Sequence, residues 1–296
     1  MAGLTGWFGG KNQHSPWIYS FIPKDIKTYC EPFSGSFPIY FNEDFSHVEN
    51  IIYNDANKLQ VNLMACAKDY DNLLDNIEKS FNLGGFLYTN KMEISDVKKH
   101  YRDLYTYVKD GTKCDFYDNL DFEIPNFEKA VIYSFMITSA FNACHARGAG
   151  FSGFSSGKYP KLKINTLINK LKNKNYQHKL DKLNEILNCD FEEVINRFDS
   201  KDTFFYLDPP YKLTDGTATH NTDYGSHDTF GENGHERLKN ILLKTKSRWA
   251  LSYYWFKELE EWFPRDKFNW YEKEFHRSSA SFSNSNKGIE LLITNY

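Results

Sequence analysis

Thr203-Phe204-Phe205-Tyr206-Leu207 is an unbroken run of apolar and β-favouring residues, cut off by Asp208 and then by Pro209 and Pro210. Such a run, stopped by residues that cannot continue a ladder, predicts a strand buried on both faces. Burial on both faces calls for helices above and below a largely parallel sheet, so this stretch narrows the chain to an α/β fold. It also sets one carboxylate at a strand tip, and in open parallel sheets ligands collect outside the carboxyl ends of the strands. A residue before a proline is pushed out of the helical region, and Pro209 itself has a fixed φ. Asp208 and Pro209 are therefore held extended. They offer two rigid acceptors, the Asp208 carboxylate and the Pro209 carbonyl, with the Tyr211 ring just beyond.

An exocyclic amine on a flat heterocycle suits that set, because both of its N–H bonds can be accepted while Tyr211 stacks on the ring. The lone pair of an aromatic amine is delocalised and poorly nucleophilic. Accepting its hydrogens and turning the nitrogen toward an electrophile favours the localised pair, through orientation and preorganised electrostatics. Asp208, Pro209, Pro210 and Tyr211 are thus the catalytic candidates. In isolation the same tetrapeptide fits a strand that ends in a proline turn with a surface Asp and Tyr.

The start of the chain supplies context. Gly6-Trp7-Phe8-Gly9-Gly10-Lys11 joins glycines, which let main chain approach a ligand, to an ammonium that reaches an anionic group such as a carboxylate; a flexible tip is the plainer reading. Residues 16–23 suit a short helix. Ile26-Lys27-Thr28-Tyr29-Cys30 reads as a first strand and Glu31-Pro32-Phe33-Ser34-Gly35-Ser36-Phe37 as the turn beyond it, the opening of a doubly wound nucleotide-binding fold. Ser36 is expected to take a backbone shape that glycine adopts easily. Asn50-Ile51-Ile52-Tyr53-Asn54 is the next strand and ends at Asp55, twenty positions after Gly35. An acid there is placed to accept both hydroxyls of a ribose and also to cap the helix that follows. A dehydrogenase would share this opening, but the glycine fingerprint is absent and hydride transfer has no use for Asp208-Pro209-Pro210-Tyr211.

With 296 residues the chain holds one domain with a large insertion, or two domains. Five scattered cysteines, Cys30, Cys66, Cys114, Cys144 and Cys189, show no Cys-x-x-Cys spacing and point to free thiols in a reducing compartment, away from zinc. No charged-then-apolar leader and no membrane-length apolar run is present, so the expectation is a soluble, cytoplasmic protein. The net charge of −3 does not favour a polyanion, so a binding surface has to come from uneven placement of charge. Residues 158–182 supply it, with eight lysines against one acid, Asp181. Just before them, His145-Ala146-Arg147-Gly148-Ala149-Gly150-Phe151 opens a stretch running to Tyr159 in which glycine, serine, aromatics and cations interleave. Such a loop can lay main-chain N–H groups and rings against phosphates and bases, and Arg147 can pair with a guanine edge.

Elsewhere, residues 57–80 are helical in pattern, broken near Asp71, and belong to the core. Gly84-Gly85 marks a boundary. Residues 86–121 read as helices of an inserted subdomain, and the apolar helix over 128–142 gives that insertion a small core of its own. An amphipathic helix is expected over 166–187. Ile186-Leu187-Asn188-Cys189-Asp190-Phe191 looks like another strand end, followed by a helix over 192–198 that Asp190 would cap. Residues 212–234 form a long loop able to close over a bound ring; His220, His227 and His235 lack metal spacing and are expected at the surface. A helix over 235–245, a buried strand over 249–253, and a hairpin of strands over 268–275 and 288–295 complete the reading.

Asp208-Pro209-Pro210-Tyr211 resembles the catalytic motif of the amino-methyltransferases, and the chain from about Trp7 to Tyr296 is similar to the Dam-type (D12 class) DNA adenine-N6 methyltransferases. The resemblance implies a doubly wound, Rossmann-like α/β methyltransferase sheet, mostly parallel with a C-terminal antiparallel hairpin. Residues 1–83 and 183–296 would form the catalytic domain that binds S-adenosylmethionine, and residues 84–182 an inserted, mainly helical target-recognition subdomain. Double-stranded DNA is the implied partner, with the target adenine everted to reach the site, in a bacterial or phage-encoded enzyme with a cognate restriction endonuclease as a further partner.

By the same resemblance Trp7, Gly10 and Lys11 contact the methionine end of the cofactor. Glu31, Phe33, Ser34, Gly35 and Ser36, with Asp55 and Asp208, surround it, while Asp190 accepts from its adenine amino group and Phe191 packs on that ring. Asn142, Arg147, Lys158, Tyr159, Lys161 and Lys163 face DNA. The chain departs from the family at Ser34 and Ser36, where glycine is usual, and it lacks a Phe-Asn pair after Gly157. The resemblance therefore leaves the recognition sequence open, the family's commonest target, GATC, included. Cytosine-N4 methyltransferases share the motif, RNA is a further substrate class, and a non-catalytic DNA-binding protein with this fold would be indifferent to Asp208→Ala.

Overall fold

The computed structural model describes residues 3–6, 10–83, 122–140, 163–212, 230, 233–276 and 287–296. Among them the strands are β1 (Thr28–Glu31), β2 (Asn50–Asn54), β3 (Leu183–Leu187), β4 (Thr203–Leu207), β5 (Arg248–Tyr253), β6 (Asn269–His276) and β7 (Lys287–Thr294). They form one sheet in the order β3-β2-β1-β4-β5-β7-β6. The first five in that order are mutually parallel, and β7 runs antiparallel to both of its neighbours. The helices are α1 (Ser15–Tyr19), α2 (Pro38–Asn42), α3 (Lys58–Lys68), α4 (Tyr70–Leu83), α5 (Phe127–Ser139), α6 (Ile164–Leu171), α7 (Lys174–Asp181), α8 (Phe191–Phe198), α9 (Gly234–Leu242) and α10 (Leu259–Trp262).

Strand alternation sorts the core into two layers. Phe204 and Tyr206 of β4 join Tyr29, Ile51, Tyr53, Ala250 and Leu292 under α1 to α7. Phe205 and Leu207 join Cys30, Ile52, Trp249, Leu251 and Ile293 under α8, α9 and α10. All five residues of β4 are buried, and each large apolar side chain removed from water there contributes about 2 kcal/mol. The central strand is in this way a rigid platform. Strand order reverses between β1 and β4, so the cleft outside their carboxyl ends is the switch point at which such sheets bind ligands.

Two elements differ from the sequence reading. The helix expected over 166–187 is α6, α7 and then β3. Asn173 breaks it by accepting the Asn175 N–H at 2.9 Å, and Leu183–Leu187 is drawn into the sheet by parallel pairing with β2. The helix over 57–80 breaks at Asp69 into α3 and α4, close to the expected break near Asp71. The apolar helix α5 does not build a separate core. Ala130, Tyr133 and Met136 sit in one cluster with Leu59, Leu63 and Leu73, and paired Asn62–Asn126 bonds of 2.6 and 2.8 Å lock its start to α3.

Candidate active site

Four neighbouring strands place an acid at the same edge of the sheet. Glu31 closes β1, Asp55 follows β2, Asp190 lies beyond β3 and Asp208 follows β4. So many carboxylates at one edge favour a cationic ligand or one rich in hydroxyl donors.

Beyond β1 the chain turns tightly: Ser34 Oγ donates to Glu31 O at 2.7 Å, and Phe37 N–H to Ser34 O at 2.7 Å. Left-handed backbone falls on Gly35 (φ 50°) and Phe37 (φ 56°), not on Ser36. Glycine takes that conformation freely, whereas Phe37 is held in it by burial, its ring lying 4.8 Å from Tyr40 and 5.3 Å from Tyr53. Asp55 braces the turn from β2. Its Oδ2 accepts the Gly35 N–H at 2.7 Å and its Oδ1 the Asn57 N–H at 2.8 Å. Burial pushes the Asp55 carboxyl up to about 6 against the pull of those two donors. The cap of α3 is Asn57, which accepts from Leu59 and Gln60 N–H; Asp55 is thereby left to the turn. Glu31 accepts from Tyr29 OH at 2.6 Å, and burial holds its carboxyl well above the usual range.

Next to this turn three rings meet, Phe33 with Phe191 at 5.3 Å and both with Phe230 at 5.7 and 5.5 Å. A Cβ on Gly234 would fall 2.5 Å from the Phe230 ring, so α9 begins with glycine to admit it. Asp190 caps α8 through the Glu192 N–H at 2.9 Å, and the same Oδ1 takes Arg237 at 2.6 Å. Arg237 lies over the Phe191 ring at 4.8 Å. These residues fit a positively charged nucleoside cofactor: Asp55 and Asp190 as acceptors, Phe33 and Phe191 as an apolar floor. Ser36 Oγ adds a buried polar atom with no hydrogen-bond partner among the described residues.

The β4 tip carries a second cluster. Lys11 Nζ lies 3.0 Å from Asp208 Oδ1 and 3.5 Å from Glu290 Oε1. Burial alone would pull the Lys11 ammonium down, but the two carboxylates outweigh it and leave its pKa raised. Tyr211 OH donates to Glu290 Oε1 at 2.5 Å, and its ring lies 4.8 Å from Lys11 Nζ. Burial, with Asp208 nearby, raises the Glu290 carboxyl despite the ammonium.

A family model of the D12 class N6 adenine-specific DNA methyltransferases matches residues 7–279. The chain belongs to that family. Relatives of this D12 methyltransferase include the Type II methyltransferase M1.LlaDCHI of Lactococcus lactis subsp. cremoris, 26% identical over 299 residues that cover 99% of this chain and 95% of the relative. The Type II methyltransferase M.CviBI of Paramecium bursaria Chlorella virus NC1A is 24% identical, over 84% of this chain and 81% of its own. M.MjaIII of Methanocaldococcus jannaschii, also a Type II methyltransferase, is 27% identical over 82% and 80%.

In this D12 methyltransferase the structure brings together at the carboxyl edge Lys11, Glu31, Phe33, Ser34, Gly35, Asp55, Asp190, Phe191, Asp208 and Tyr211. Gly10 precedes Lys11, Ser36 follows Gly35, Pro209 is buried and Pro210 partly exposed. Trp7, Asn142, Arg147, Lys158, Tyr159 and Lys161 lie outside the described residues, as do His220 and His227; Lys163 precedes α6. His235 is half-buried rather than fully exposed: its ring nitrogen Nδ1 is 2.6 Å from Tyr253 OH, and burial lowers its pKa to about 4. Part of the lysine run is also turned inward. Lys170 donates to Gly3 O and Leu4 O, and Lys179 to Tyr40 O and Glu43 O, so both are structural tethers. Sequence reasoning missed Glu290 and Arg237. For Glu290 the available signal was a lone acid inside the apolar run Gly288-Ile289-Glu290-Leu291-Leu292-Ile293. Among the described residues no group of three or more His, Cys, Asp or Glu could hold a metal, and no helix is long and apolar enough to cross a membrane.

Proposed function

We propose that this enzyme transfers the methyl group of S-adenosylmethionine to the N6 amine of an adenine everted from double-stranded DNA at a specific sequence. The arrangement of Asp208 carries the reading. Lys11 holds Oδ1 at 3.0 Å, and the Asp208 side chain keeps 21% of its surface exposed. A carboxylate anchored on one side and open on the other takes one N–H of an incoming amine, and the Pro209 carbonyl takes the second. The base then lies against Tyr211, with its nitrogen turned toward the donor. Bound S-adenosylmethionine supplies an electrophilic methyl group. Asp55 would accept its ribose hydroxyls, Asp190 and Phe191 would hold its adenine, and the turn from Glu31 to Ser36 would line its path.

Residues 84–182 are proposed as the recognition subdomain, with α5, α6 and α7 packed on the core. Asn142, Arg147, Lys158, Tyr159, Lys161 and Lys163 would face DNA. The Type II relatives support a place beside a restriction endonuclease that reads the same sequence. Labelled cofactor and DNA, followed by nucleoside analysis, test the reading. N6-methyladenine is expected; N4-methylcytosine as sole product, or transfer to RNA alone, overturns it. Asp208→Ala is expected to lower transfer at least about 10³-fold while the protein still folds.

A further inference from the structure

We infer that Glu290 is a positioning residue of the transfer site, acting through Tyr211 and Lys11; the inference rests on the roles proposed for Asp208 and Tyr211. Glu290 is 1% exposed in a strand whose neighbours are apolar. Alternation along β7 puts it on the same face as Leu292, the face that carries Phe204 and Tyr206 of β4. Since β5 separates β7 from β4, Glu290 and Asp208 belong to strands that do not touch. Lys11 spans that gap, 3.0 Å from one carboxylate and 3.5 Å from the other. Glu290 is thus the second anchor of the ammonium that aims Asp208.

The same carboxylate oxygen receives the Tyr211 hydroxyl at 2.5 Å. Tyr211 also meets Tyr254 edge-on at 4.5 Å and Tyr253 at 5.5 Å. Rings on two sides and an acceptor at its tip leave Tyr211 one orientation in which to meet a base. The fold itself has no need of an acid here. Burying a carboxylate is expensive even when it is paired, and an apolar residue of similar volume would serve the strand as well or better. What the acid adds is direction for Tyr211 and for Lys11, and through Lys11 for Asp208.

Glu290→Met keeps the volume and removes the acceptor; Glu290→Gln keeps an acceptor and removes the charge. With thermal melts as the control for folding, Glu290→Met is expected to lower kcat about 10- to 100-fold, the scale of a misplaced reacting group. Cofactor affinity should stay within about twofold, and Glu290→Gln should recover part of the loss. In the double variant with Tyr211→Phe the loss should not exceed that of the worse single variant, since both break one contact. Fluorine NMR of a fluorotyrosine at position 211 gives a readout without turnover: a narrow signal in the parent that broadens or shifts in Glu290→Met. A folded Glu290→Met with parental kcat, additive losses, or an unchanged fluorine signal overturns the inference. Absence of transfer by the parent would instead sink the proposed reaction, while the fluorine signal would still decide whether Glu290 fixes Tyr211.

Discussion

Lys11 Nζ stands 3.0 Å from Asp208 Oδ1 and ties the segment before α1 to the tip of β4. Lys11→Met removes a cation from between two carboxylates, one of them fully buried, and is expected to cost about 3 kcal/mol of stability. The loss should shrink on acidification, because Glu290, already raised by burial, then takes up a proton. A lysine raised in the folded chain stabilises at every pH below its unfolded value near 10.4. The parent should accordingly show no Lys11 titration across the neutral range. Denaturant melts of both proteins at neutral and mildly acid pH check these outcomes.

Asp55 sets a pH dependence in a lower window. Burial holds its proton up to about pH 6, above the unfolded value near 4, so Asp55 weakens the fold as pH rises through that window. If its ionised form receives ribose hydroxyls, cofactor affinity should fall about tenfold per pH unit below 6. Isothermal titration of the cofactor at pH 5, 6 and 7 measures this, and Asp55→Ala should bind weakly with no such slope.

His14 and His235 both have pKa values lowered to about 4, first by burial and then by nearby lysines. The unfolded chain takes up their protons near 6.5, so their contribution to stability is present above that pH and is lost as pH falls toward 4. From pH 7 to pH 5 the two histidines pull stability down against the opposite pull of Asp55, so their share is read as the difference between variant and parent. His14 packs edge-on against Phe275 at 5.1 Å, and its Nδ1 has no hydrogen-bond partner among the described residues. His14→Phe should therefore fold at neutral pH and show a shallower acid slope than the parent.

Lys170 links α6 to the turn proposed to line the cofactor. Its ammonium holds Gly3 O and Leu4 O, and the Leu4 N–H goes on to Ser36 O at 3.1 Å. Lys170→Met is expected to speed hydrogen exchange at the Leu4 amide and to weaken cofactor binding about tenfold, the scale of one or two lost hydrogen bonds. Unchanged exchange at Leu4 would show that the tether does not hold the segment.

The parts of this molecule that could be read in advance share one property: their neighbours in sequence already say which way they face. Thr203–Leu207 and Asn50–Asn54 are apolar runs between breakers, and they are strands over those same residues. Asp208 and Asp55 follow as the first polar residues past a strand. Of Leu183–Leu187 only the end at Ile186-Leu187 was legible, because an edge strand with one exposed flank mixes Asn184 and Glu185 with leucines much as an amphipathic helix does. Glu290 was hidden by the opposite logic, since an acid alternating with apolar residues ordinarily faces water; only insertion of β7 between two strands puts it inside. Lys170 and Lys179 look like surface charges in sequence. Their long stems carry the ammonium groups back to main-chain carbonyls that no local pattern reveals.

The order of the sheet also bears on when the enzyme becomes competent. β5 and β6 leave the ribosome before the strand that belongs between them. Until β7 emerges and slots in backwards, two ladders stand open along their length. A nascent chain short of β7 has neither the closed sheet nor Glu290.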